Sequence, residues 1–135
     1  VAHELIHYQQ KYPAGERALL GAVIGEGSAD FIAELIAGKH INQHLHDFGN
    51  ARERELWTEF KRSMTANDNS LWLYNGNNIK DRPADLGYYM GYKIAEAYYK
   101  NSADKKQAVR DILEIKDFAA FLKASRYEDK FGAAN

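Results

Sequence analysis

Val1-Ala2-His3-Glu4-Leu5-Ile6-His7-Tyr8-Gln9-Gln10-Lys11-Tyr12 begins the chain, and the spacing within it governs how the rest is read. Apolar or aromatic side chains at Val1, Leu5 and Tyr8 recur at helical intervals until Pro13, so the run predicts a helix over residues 1 to about 12. Inside it, His3-Glu4-Leu5-Ile6-His7 is an HExxH motif. Four residues along an α-helix advance about 400°, which puts the two imidazoles on one face with Cβ atoms roughly 5–6 Å apart, close enough to share one ion. Neutral imidazole is a good zinc ligand. Glu4 lies about 100° round the helix from His3 and about 60° from His7, at the border of that face. A carboxylate there can take a proton from metal-bound water without ligating the ion.

A catalytic zinc needs three protein ligands and an open position, so a third ligand must come from another element. Eighteen residues separate His7 from Glu26. The run SADFIAELIAG, with Phe31, Leu35 and a stop at Gly38, predicts a helix over about residues 26–37 that Glu26 opens. Asp30 follows one turn later on the same face, where it can accept a hydrogen bond from the outer N–H of a metal-bound histidine. Glu34 competes with Glu26 for the third position, but it lies about 12 Å further along the axis, so the two cannot both reach one ion. Glu26 is preferred because only it is followed by an aspartate one turn on.

The 135 residues, 45% hydrophobic and 27% charged, are enough to bury a core and predict one soluble domain over residues 1–135. Lys+Arg 18 against Asp+Glu 19 argues against a nucleic-acid or anionic-lipid partner. With no cysteine, disulfides, thiolate zinc sites and cysteine nucleophiles are excluded, and any metal must use His, Asp or Glu. The longest strongly apolar stretch, residues 19–24, is too short to cross a bilayer. A chain starting at Val1 with its motif at His3 is read as a fragment of a longer protein.

A short helix is expected from Gly15 to about residue 23. Residues 51–64 place Leu56, Phe60 and Met64 four apart, with Asn50 as a plausible cap. The Asn-, Asp- and Gly-rich residues 65–83 predict an ordered loop anchored by Trp72 and Tyr74. Beyond Pro83, the stripes Leu86-Met90-Ile94-Ala97 and Tyr88-Tyr92-Ala95-Tyr99 predict a central helix, with Gly87 and Gly91 clearing space for close packing. Helices around residues 105–115 and 117–125 complete the chain. No convincing alternating strand occurs, so the fold class is all-α.

His3, Glu4, His7, Glu26 and Asp30 together resemble the pattern of the gluzincin zinc metallopeptidases, the clan of thermolysin and aminopeptidase N. That resemblance implies that His3, His7 and Glu26 bind Zn2+, that Glu4 is general base and then acid, and that Asp30 orients His3. It also implies a helical, zincin-like catalytic subdomain whose upstream β-sheet lies outside this stretch of chain. The blocks GEGSADFIAELIAG, SLWLYNG and DRPADLGYYMGYKIAEAYY resemble a narrower set of uncharacterised bacterial proteins regarded as zinc-dependent proteases, some related to a gliding-motility lipoprotein family. This implies an exported or cell-envelope location.

Gluzincins commonly aid the metal with a Tyr or His donor to the oxyanion, and Tyr92 or Tyr88 would fill that place here, a pure packing role being the alternative. Arg82 can hold a substrate carboxylate or carbonyl, or serve the loop by bonding its carbonyls or pairing with Asp85. His40 and His44, with His46 beside them, lack a glutamate in register and read as solvated or capping residues. The function expected is zinc-dependent hydrolysis of a peptide or protein substrate. The alternatives are a zinc-binding but non-proteolytic envelope or gliding-motility module, and a metal-free helical interaction domain.

Overall fold

Helix α2 (Leu19–Ala37) is buried on nearly every side from Leu19 to Ala33, as a helix apolar around its circumference must be. It packs against α5 (Gly87–Asn101), and these two form the centre of the computed structural model, which describes residues 1–14 and 17–132. Their contact is backbone on backbone: a Cβ added at Gly27 would lie 2.1 Å from the Tyr92 nitrogen, and one at Gly91 would lie 1.8 Å from the Val23 carbonyl oxygen. Gly91 thus does the close packing expected of it.

That contact corrects the expected division of residues 15–37 into two helices. Gly25 and Gly27 each cost a helix interior about 1 kcal/mol relative to alanine, yet the helix runs through them because the α5 backbone packs where a Gly27 side chain would be and Arg17 lies where one at Gly25 would be. Glu26 therefore sits in mid-helix instead of opening one, while Asp30 keeps its place one turn on. The expected start at Gly15 lies outside the described residues. The first N–H groups of α2 have no side-chain cap; Leu19 N–H donates to the Ala66 carbonyl (2.7 Å) and Leu20 N–H to that of Met64 (2.9 Å). Gly38, at φ 71°, ends the helix in the left-handed conformation glycine adopts freely.

Helix α1 (Ala2–Gln9) lies across α2. It stops before the expected residue 12 because the chain turns towards α6 (Lys105–Leu113): Lys11 N–H donates to the Leu113 carbonyl and the Tyr12 hydroxyl to that of Ile112, both at 2.7 Å. Residues 40–50, for which no helix was expected, form a helix α3 (Gln43–Asn50). Asn50 accordingly ends α3 and accepts a bond from the Tyr89 hydroxyl (3.0 Å), instead of capping α4 (Glu53–Ser63). Asp104 and Asp117 cap α6 and α7 (Phe118–Ser125) through bonds from Gln107 N–H and Ala120 N–H, both 3.0 Å. A 3-10 turn, Tyr127–Phe131, follows. The fold is all-α, with seven α-helices and no strand among the described residues, and none of its helices is long and apolar enough to cross a membrane.

Between α4 and α5 the loop is ordered by Trp72 and Leu73, both buried, and by buried Asn75, which donates to the Ser70 carbonyl and accepts from Asp85 N–H. Trp72 is the anchor expected of it. Tyr74 is not: it is 64% exposed and reaches away from the loop.

Candidate metal centre

The i,i+4 spacing on α1 and the burial of one face of α2 bring three donor atoms together. His3 Nε2 lies 2.9 Å from His7 Nε2 and 3.1 Å from Glu26 Oε1, and His7 Nε2 lies 3.0 Å from the same oxygen. These three residues are the one His/Asp/Glu group among the described residues with metal-ligand proximity. A tetrahedral zinc with bonds of about 2.0–2.2 Å holds neighbouring donors about 3.3–3.6 Å apart, so a spread of a few tenths of an ångström would seat one.

The outer nitrogens decide which lone pairs face inward. His3 Nδ1–H donates to Asp30 Oδ1 (2.6 Å), and His7 Nδ1–H donates to Gln10 Oε1 (2.8 Å). Both acceptors are themselves fixed. Asn42 donates to the other Asp30 oxygen (2.7 Å), and Gln10 Nε2 donates to the Gly25 carbonyl (2.9 Å) and to Ser28 (3.1 Å). In each neutral imidazole Nε2 is then the acceptor. Two such nitrogens and a carboxylate oxygen within 3.1 Å repel one another unless a positive charge lies among them. A proton on His3 supplies it, since the bonds to Asp30 and then Glu26 raise its pKa to about 9. A divalent cation supplies it more fully. Burial alone would raise the pKa of Glu26, but bonds from His3 and Tyr74 and the charge of His7 hold it at about 2.

Around this triangle the remaining residues divide. Glu4 is exposed, with Oε1 3.8 Å from His3 Nε2, at the solvent border of the donors. Tyr88 stacks on the His3 ring (centroids 5.6 Å apart, planes 19° apart). Burial, and then the charge of Glu26, push its hydroxyl pKa up, so it stays a donor. The hydroxyl of Tyr92 is not brought to the centre: it donates to Glu34 Oε2 at 2.5 Å, two turns along α2 from Glu26. Arg82 is engaged elsewhere too. It binds both oxygens of Glu59 (3.0 and 2.8 Å) and the Leu71 carbonyl (2.9 Å), with its guanidinium 4.5 Å over the Trp72 ring. Of its alternatives, bonding a loop carbonyl is the one the structure displays, and its ion pair is with Glu59 and not Asp85.

His40 and His44 are exposed, but His46 is buried against His40, Tyr89 and Tyr92, which corrects its reading as a solvated or capping residue. Burial first, and then His40, lower its pKa to about 4.

Three residues of the centre escaped the sequence reading. Gln10 carries a signal that could have found it, since it follows His7 by three residues on the same helical face. Asn42 and Tyr74 carry none, because they arrive from turns. Tyr74 sits at φ 55°, a left-handed conformation that costs a bulky residue about 1–3 kcal/mol. Its N–H is held by Asp85 Oδ1 (2.6 Å), and its hydroxyl donates to Glu26 Oε2. A cleft of about 590 Å³ opens beside the centre, with His7, Glu26, Tyr74, Arg17, Asn67 and Asn69 in its walls.

Neither the curated proteins nor the solved structures yield a match to this chain. A family model described as "Predicted Zn-dependent protease (DUF2268)" matches residues 1–118, which take in α1, α2, the Tyr74 loop and α5. That match covers most of the chain, which belongs to the DUF2268 family of predicted zinc-dependent proteases.

Proposed function

We propose that this chain is a zinc metallopeptidase of the gluzincin kind, hydrolysing peptide bonds in a peptide or protein substrate, with His3, His7 and Glu26 as ligands. The observation that carries the reading is the convergence of three acceptor atoms within 3.1 Å, each imidazole turned by a fixed acceptor behind it. Zinc held there supplies a Lewis acid for the scissile carbonyl and lowers the pKa of its water to about 7.

The chain's own residues do the rest. Asp30 and Gln10 keep both Nε2 lone pairs directed at the centre. The Tyr74 hydroxyl occupies Glu26 Oε2 and leaves Oε1 facing the histidines. Glu4, exposed and beside His3, is free to accept the proton of the attacking water on its carboxylate and return it to the leaving amine. Tyr88, whose ring stacks on His3 and whose hydroxyl burial keeps protonated, is the donor to the developing oxyanion in this reading. An exported or bacterial cell-envelope location for this activity is proposed from the sequence resemblance to the gliding-motility-related set alone.

Glu4→Gln tests the reading. The variant should keep one zinc per chain by metal analysis while peptide turnover falls by about 10²–10⁴. Zinc-loaded wild type that cleaves no peptide would instead leave a zinc-binding structural module.

A further inference from the structure

The cleft beside the metal centre contains a cation that the mechanism above does not use. The stem of Arg17 lies along α2 over two small residues one turn apart: a Cβ built on Gly21 would lie 3.3 Å from Arg17 Cδ, and one on Gly25 would lie 3.0 Å from Nη1. The guanidinium is flanked by the rings of Tyr12 and Phe118, at 5.5 and 5.9 Å from their centroids. Those rings and the glycine trough hold it in place, so little side-chain freedom is lost when it binds. Among the described residues no carboxylate pairs with it, in contrast to Arg82, which Glu59 neutralises. Arg17 shares the cleft with Glu26, whose charge is committed to the centre, and with the uncharged carboxamides of Asn67 and Asn69.

The carboxylates of Glu26, Asp30 and Glu4 more than offset the charge of a dication at the centre, which leaves Arg17 as the positive charge of the cleft available to a substrate. A cation so placed favours a substrate that carries an anion within its reach. Gly25, over which the guanidinium lies, immediately precedes the ligand Glu26. An extended peptide spans about 3.3–3.6 Å per residue, so a group one or two residues from the bond being cut reaches that far. The planar guanidinium matches a carboxylate with two parallel hydrogen bonds.

We propose that Arg17 determines specificity by receiving a substrate carboxylate one or two residues from the scissile bond, either a free C-terminus or an Asp or Glu side chain. The proposal rests on the peptidase reading above, and binding separates the two. Three probes serve: N-acetyl-tetraalanine, its C-terminal amide, and N-acetyl-Ala-Ala-Glu-Ala amide. Zinc-loaded wild type should cleave at least one carboxylate-bearing probe about tenfold or more faster, in kcat/KM, than the plain amide. Arg17→Gln should bring that ratio close to one with zinc content unchanged, and Arg17→Lys should keep part of it. Preference for the free acid alone identifies the C-terminus as the carboxylate; preference for the glutamyl amide alone identifies the side chain.

Calorimetric binding of the same probes to zinc-loaded Glu4→Gln should follow the same order and lose it when Arg17→Gln is added. If nothing is cleaved but this Arg17-dependent binding order holds, the peptidase reading fails and the carboxylate site stands. Equal handling of all three probes by wild type, or a preference that survives Arg17→Gln, overturns the proposal.

Discussion

At His3 a proton and a metal ion compete for one nitrogen. Asp30 and Glu26 raise the pKa of this imidazole to about 9, so at pH 7 the metal-free side chain is protonated. Ligation requires Nε2 to be bare. Zinc binding at pH 7 should therefore release about one proton per ion from this residue, measured by titration calorimetry in buffers of different ionisation enthalpy, and affinity should rise with pH up to about 9. Asp30→Asn should lower zinc affinity about 10–100-fold, because the outer bond that fixes the His3 tautomer weakens. At this scale the pairs His3–His7 and Glu26–Asp30 were legible, since helical periodicity places residues four apart on one face, and the resemblance of their pattern to the gluzincins implied that the two pairs meet. Tyr74, Asn42 and the Glu59 partner of Arg82 were not. Each depends on a turn that brings together residues far apart in the chain, and side-chain chemistry at one position says nothing about its distant partner.

Among the elements, the α2–α5 contact sets the position of Glu26 and of Tyr88 together. Gly91→Ala would place a Cβ 1.8 Å from the Val23 carbonyl. The helices must part, at a cost of about 1–3 kcal/mol or more, and thermal denaturation should show both a lower Tm and weaker zinc binding. Helix α3 carries a different sensitivity. His46 has its pKa depressed to about 4 against 6.5 when unfolded, by burial and then by His40; Lys93 lowers it further, while Glu96 and Asp30 act the other way. The neutral form is the one the fold accepts, so stability from this residue is complete above pH 6.5 and lost as pH falls towards 4. Denaturant midpoints should fall over that window, and His46→Phe should flatten the slope. Helix identity was readable wherever apolar spacing was strong, as in α4 and α5. The union of two expected helices into α2 was not, because a glycine such as Gly27, which reads as a break in sequence, is tolerated when a partner backbone packs against it. Helix α3 was missed because its residues are mostly polar and its inward face rests on Leu45, His46 and Gly49.

For the molecule as a whole, an ion shared between α1 and α2 binds the folded state alone. Zinc at a thousand times its dissociation constant should add ~4 kcal/mol of stability, so scanning calorimetry should show a Tm several degrees higher with zinc than with a chelator. An unchanged Tm would refute a site joining the two helices. The dependence falls unevenly. Helix α1 has eight residues, no side-chain cap and one buried residue, Ile6, with Leu5 and Tyr8 turned to solvent. A helix that short is marginal on its own. Zinc acts on it as a rivet acts on the outermost plate of a hull: starvation for the metal should loosen the amino-terminal segment first, speeding its amide exchange and exposing it to digestion while α2 and α5 stay shut.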